Sequence, residues 1–183
     1  MPRIPMPTPQ TMTPEQRQVC EAILSGPRAS LQGPFVPWLA SPELADRAQR
    51  LGEYLRFRNA LPRDLSELAI LVTAQHWRAE FEWWAHARFA REAGLSEAKI
   101  EALRLGQRPE AMSEAEAVVY DVASTLWRDR TIDQALFDRA ITLLGQQALT
   151  DLVGVIGYYA LVSATLNVFD MPLPEGAAKA FGP

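Results

Sequence analysis

The run from Leu149 to Phe169 limits how this chain can fold more than any other stretch. So long an apolar segment has to be withdrawn from water, either by lipid or by the rest of the protein. Asp151 and Asn167 stand near its ends, and Gly154, Gly157, Ser163 and Thr165 interrupt it. A lone span with such interruptions, following a polar amphipathic chain, is a poor membrane anchor. The stretch therefore predicts a helix buried in a core or in a subunit interface, with no membrane as partner.

The rest of the chain has to supply the surface that covers it, and its periodicity is helical. Thr13, Pro14 and Gln16 form a capping box ahead of Val19, Ala22 and Ile23, and Gly26 with Pro27 ends that helix. Residues 26–40 are rich in proline and glycine yet carry Leu31, Phe35, Val36 and Trp38, which predicts an ordered loop packed on the body. Ser41 and Pro42 open a helix that runs to about Phe57. Pro62 opens another that runs to about Gln75, and a third spans roughly Ala79 to Ala93, stopped by Gly94. Ser96 starts a short helix, Ser113 and Glu116 form a second capping box, and Leu136, Phe137, Ala140, Ile141 and Leu144 mark one more amphipathic face. No stretch alternates as a half-buried strand would. The expectation is an all-α, compact bundle of seven or eight helices, organised as one domain over residues 13–183 behind an extended, proline-rich arm of residues 1–12.

Charge and cysteine usage narrow the function. Eighteen basic residues against 22 acidic ones, scattered rather than clustered, give a net charge of −4 and argue against nucleic acid as partner. Cys20 is the single cysteine, so internal dithiol chemistry is excluded and a reducing, cytoplasmic setting is the expectation. The proline-bearing N-terminus has no apolar core of the kind a secretory signal carries.

Chemistry concentrates between Ser66 and His86. That stretch holds both histidines, His76 and His86, with Glu67, Glu80 and Glu82 set among Trp77, Trp83 and Trp84. Apolar surroundings shift carboxylate and imidazole pKa values towards catalytic use. Glu82 and His86 are four apart and share one helix face, and Glu67 on the preceding helix can orient the imidazole or hold the complementary protonation state. His76 reads as structural, at a helix C-terminus where an imidazolium is favoured. A carboxylate-bridged metal bundle would repeat Glu-x-x-His on two helices, and that repeat is absent, so no metal is expected. Phe81, with Trp77, Trp83 and Trp84, is a candidate to line an apolar cavity, with packing between subunits as the alternative for the tryptophans, and Arg56, Arg58 and Arg78 are candidates to hold a substrate carboxylate, with a solvated face as the alternative for each.

The run from Leu51 to Leu105, together with the tail from Ile156 to Gly176, resembles the carboxymuconolactone decarboxylase family, within the superfamily of alkyl hydroperoxidase D-like proteins. The peroxidase branch has a glutamate, eleven residues, Cys-x-x-Cys, three residues and a histidine. Here the same frame reads Glu67, eleven residues, Ala79-Glu80-Phe81-Glu82, three residues, His86. Thiol peroxidase activity needs a thiolate and a resolving partner, so it is rejected. The resemblance implies the alkyl hydroperoxidase D-like bundle, a homo-oligomer (trimer or hexamer), and no cofactor. For activity it implies a lyase or isomerase acting on a small carboxylated lactone or a related ring-cleavage product of aromatic catabolism, with Glu67, Glu82 and His86 as its acid–base residues. Phe81 departs from the decarboxylase pattern, which has a histidine there. A non-catalytic, ligand-binding member of the same scaffold is the alternative.

Overall fold

The computed structural model describes residues 3–5, 7–27 and 29–182, and among them every regular element is a helix. The elements are α1 (Pro14–Ser25), α2 (Phe35–Trp38), α3 (Pro42–Phe57), α4 (Arg63–Trp77), α5 (Glu80–Glu92), α6 (Glu97–Arg104), α7 (Glu114–Asp129) and α8 (Gln134–Val168). Both predicted capping boxes form. The Thr13 hydroxyl accepts from the Gln16 amide while the Gln16 side chain accepts from the Thr13 amide, and Ser113 and Glu116 repeat the exchange at the start of α7. The one-turn α2 between α1 and α3 packs on the body as expected, with all four of its residues buried.

Helix α4 lies at the centre. Every residue from Leu65 to Ala74 is buried, because α5, α6, α7 and α8 pack around it. A helix covered on all sides can be apolar around its whole circumference, and α4 largely is. Glu67 sits within that buried run.

The two helices predicted at the C-terminal end run on as α8, broken only at Gly145, whose φ of 80° and ψ of 166° are not helical. Glycine has no Cβ to oppose a positive φ, so the chain changes direction there without ending the element. The polar residues that interrupt the apolar stretch serve as anchors. Asp151, buried, accepts from the Tyr54 hydroxyl of α3 (2.9 Å) and from the Ala60 amide (2.8 Å). Thr165 accepts from the Trp38 indole of α2 (3.0 Å), and Asn167 donates to the Trp77 carbonyl at the end of α4 (2.8 Å). One helix in the described residues is long and apolar enough to cross a membrane, and 61% of its apolar window is buried inside the protein. Val153, Leu161 and Val168 remain exposed on it.

Both ends of the chain are tied to this body. Arg3 donates to the carbonyls of Val168 and Phe169 at the end of α8. The C-terminal tail returns to α5, where the Glu80 carboxylate accepts from the amides of Ala180 (2.6 Å) and Phe181 (3.0 Å), and Arg104 of α6 donates to the Ala180 carbonyl (2.7 Å).

Candidate active site

Two residues turn the chain between α4 and α5. Arg78 adopts a left-handed conformation (φ 47°, ψ 41°) and the Ala79 amide returns to the Ala74 carbonyl (2.9 Å). This short turn folds α5 back on α4, so that His86, two turns into α5, meets Glu67, in the second turn of α4.

The three residues singled out by the sequence converge. His86 Nδ1 lies 2.6 Å from Glu67 Oε2, and His86 Nε2 lies 3.0 Å from Glu82 Oε1. All three are buried, at 4%, 3% and 4% exposure for Glu67, Glu82 and His86. Burial of His86 by itself pushes its pKa down. The charges of Glu67 and Glu82, and their hydrogen bonds to the ring, outweigh that and raise it to about 9. Near neutral pH the ring is therefore an imidazolium donating on both sides, Nδ1–H to Glu67 and Nε2–H to Glu82.

This triad opens on two sides. A cavity of about 250 Å³ is lined by Glu82 and His86 together with Phe81, Phe89, Tyr159 and Arg56 among others. A second cleft of about 310 Å³, between the end of α3 and the start of α4, is lined by Glu67 with Arg56, Arg58 and Arg63. The first cavity is below the size range of drug-like ligand sites, which suits a small molecule. Its walls also include Ser30, Gln32 and Phe35 from the loop before α3, and Gly33 of that loop (φ +69°) lies against the Phe81 ring. Periodicity carries no signal for this wall, since it is brought in by long-range packing. Tyr159 of α8 meets the imidazole edge-on at 4.9 Å, and it too is brought there by long-range packing.

Of the residues proposed from sequence to bind substrate, Phe81, Trp84 and Arg56 border the cavity and Arg58 the cleft at Glu67, while Trp77, Trp83 and Arg78 lie away from both. Successive helix residues are about 100° apart, so Trp83, next to Glu82, points into the core and packs edge-on against Phe181 (5.3 Å). Arg78 donates to the Phe181 carbonyl and lies over that ring. His76 corrects a further expectation. It stacks on Trp127 (4.6 Å, 16° between planes), and desolvation lowers its pKa, so the helix end does not hold an imidazolium there.

Residues 42–125, from the start of α3 into α7, match the carboxymuconolactone decarboxylase family, and all three residues of the triad fall within that match. That match, just under half of the chain, is the extent of the family likeness. The crystal structure of the debrominase Bmp8, in a cysteine-to-alanine variant bound to 2,3,4-tribromopyrrole, has the same fold, with a TM-score of 0.72, 15% identity, and coverage of 93% of this chain and 91% of that one. No curated protein sequence matches the chain. Within the matched segment the chain carries Ala79 and Glu82 where the peroxidase frame carries its two cysteines.

Proposed function

We propose that this protein is a cofactor-free lyase or isomerase that moves protons on a small carboxylated lactone or a related ring-cleavage product. One observation carries the reading. A protonated histidine, held between two buried carboxylates, opens with one of them onto a small aromatic-walled cavity.

Loss of carbon dioxide from an unsaturated lactone or keto acid leaves an electron pair in a carbonyl-conjugated system, and one proton has to reach carbon to complete the reaction. Isomerisation removes a proton from one carbon and returns it to another. In either case the Nε2–H of His86, shared with Glu82, faces the reacting atoms. Transfer of that proton leaves a neutral imidazole whose Nδ1–H stays on Glu67, so ring orientation and tautomer are fixed through the cycle. The imidazolium also offsets negative charge developing on the substrate carbonyl, and its burial strengthens that effect.

The debrominase neighbour, crystallised with a halogenated pyrrole, supports a small planar ring as the scale of the ligand. No thiol takes part in the proposed chemistry, since Cys20 is the sole cysteine and is buried in α1, with its thiol 3.6 Å from the Met12 sulfur. The second reading, a ligand-binding member without turnover, is favoured by Phe81, which occupies the cavity wall where the decarboxylases carry a histidine.

The test is a screen of carboxylated lactones and β-keto acids in deuterium oxide, read by carbon dioxide release and by deuterium incorporation at carbon. His86→Gln should lower turnover about 10²- to 10⁴-fold, the range of general acid–base catalysis, with an unchanged circular dichroism spectrum. Turnover retained in that variant refutes the acid–base role. Binding without any turnover selects the second reading.

A further inference from the structure

Arg56 differs from nearly every other arginine that the structure describes. Arg58 is paired with Glu53, Arg63 with Glu92, Arg91 with Glu97, and Arg104 with Glu101, while Arg17 and Arg78 donate to backbone carbonyls. Among the described residues only Arg56 and the exposed Arg130 have a guanidinium with neither an ion pair nor a hydrogen bond. Arg56 is half-buried in the last turn of α3, and its guanidinium carbon lies 4.3 Å from the centre of the Phe89 ring and 5.2 Å from that of Phe57. It lines both openings of the triad, the cavity at Glu82 and His86 and the cleft at Glu67. Phe89, against which it stacks, is itself in edge-on contact with His86 at 5.5 Å. Arg88 reaches the same ring (4.7 Å), and its contact with Glu92 is loose at 3.7 Å.

Charge balance gives this cation a task. Two carboxylates and one imidazolium sum to −1, so the triad repels an anionic reactant unless the cavity supplies positive charge. A half-buried guanidinium stacked on an aromatic ring, its planar fork unspent, is suited to a carboxylate, which it can bind through two parallel hydrogen bonds. We propose that Arg56 is the specificity-determining residue of this site, binding a carboxylate on a small planar ring so that the ring lies along Phe89 and Phe81 with its reacting carbon at Glu82 and His86. Arg88 assists from the rim. The proposal rests on the acid–base reading of the triad. It also constrains that reading: a carboxylate ion-paired to Arg56 is not the one lost as carbon dioxide, because the pairing stabilises the charge that departure must disperse. A reactant that is decarboxylated here therefore needs a second carboxyl group, and one that is isomerised needs only the first.

Titration of the full chain with 2-furoate and with its neutral counterpart 2-furamide tests this, using calorimetry for affinity and the His86 ring resonance to locate the ligand. 2-Furoate should bind at least tenfold more tightly than 2-furamide and shift the His86 signal. Arg56→Met should remove the preference while leaving 2-furamide binding unchanged, and Arg56→Lys, which keeps the charge without the fork, should restore part of it. Equal affinity for the two ligands, a preference that survives in Arg56→Met, or no binding of 2-furoate at millimolar concentration would each overturn the proposal. Failure of the acid–base reading looks different: 2-furoate then binds with the expected preference, while His86→Gln has no effect on the turnover of any lactone or keto acid.

Discussion

The protonation state of His86 is open to direct measurement, because the protein contains only two histidines and the structure sends them in opposite directions. His86 is raised to about 9 by Glu67 and Glu82 against the opposing pull of burial, whereas desolvation lowers His76 below its ordinary value. A ring-carbon NMR titration should therefore show one histidine with a midpoint near pH 9 and one below 6.5, assigned by loss of a single resonance in His76→Gln. The same shift is a stability statement. A rise from 6.5 to about 9 corresponds to about 3 kcal/mol of favourable interaction with the charged form. Since the folded pKa exceeds the unfolded one, this stabilisation is complete below pH 6.5, about half gone near pH 8, and lost as pH rises through 9. Urea unfolding between pH 6.5 and 9.5 should show wild type losing about 3 kcal/mol relative to the Glu67→Gln/Glu82→Gln double variant, in which the charges that raise His86 are gone. If both histidines titrate at or below 6.5, the ring is neutral between its carboxylates, and the proton-donating role assigned to it is wrong.

Two other perturbations probe how the fold supports the cavity. Gly33→Ala places a Cβ 3.0 Å from the Phe81 ring at a φ of +69°, so the loop has to shift; we expect a loss of about 1–2 kcal/mol in stability, together with weaker 2-furoate binding, and unchanged values for both would show that this loop does not shape the site. Leu71→Ala, in the middle of α4 with no exposed surface, should cost about 2–5 kcal/mol by urea unfolding, and a cost below about 1 kcal/mol would contradict the central position of that helix.

Much of this molecule was readable from residue order, for an identifiable physical reason. Capping boxes at Thr13 and Ser113, the proline at the start of α3 and the apolar periodicity of α7 are local signals, acting within a few residues along the chain. The Glu82–His86 pair is local in the same sense, being one helical turn apart. Glu67 required more: its distance from His86 is set by the two-residue turn at Arg78, and the frame of the carboxymuconolactone decarboxylase family supplied what spacing alone left open. The residues that escaped are those placed by packing between distant segments. Nothing near Gln32 or Phe35 announces that the loop they belong to walls a cavity beside α5, and nothing near Trp83 or Arg78 announces that a tail a hundred residues later covers them. His76 is structural as read, but by stacking on Trp127 rather than by capping the helix as an imidazolium, since the accompanying desolvation works against the charged ring.

The geometry of the triad also limits the chemistry to which the site can turn. Imidazole acts as a base, a metal ligand or an activator of a thiol through a free ring nitrogen, and in His86 both nitrogens are committed, one to Glu67 and one to Glu82. A metal ion could take the ring only by displacing a buried carboxylate, and no thiol stands within the triad for it to activate. What such an arrangement can do without rearranging is give up one proton towards the cavity and take it back, its two carboxylates holding the ring in place. Under the proposed function, the second cysteine position of the peroxidase frame is taken by a partner in proton transfer: Glu82, a carboxylate one helical turn before His86, accepts a hydrogen bond from the ring where a thiol at the same place would lose its proton to become a nucleophile.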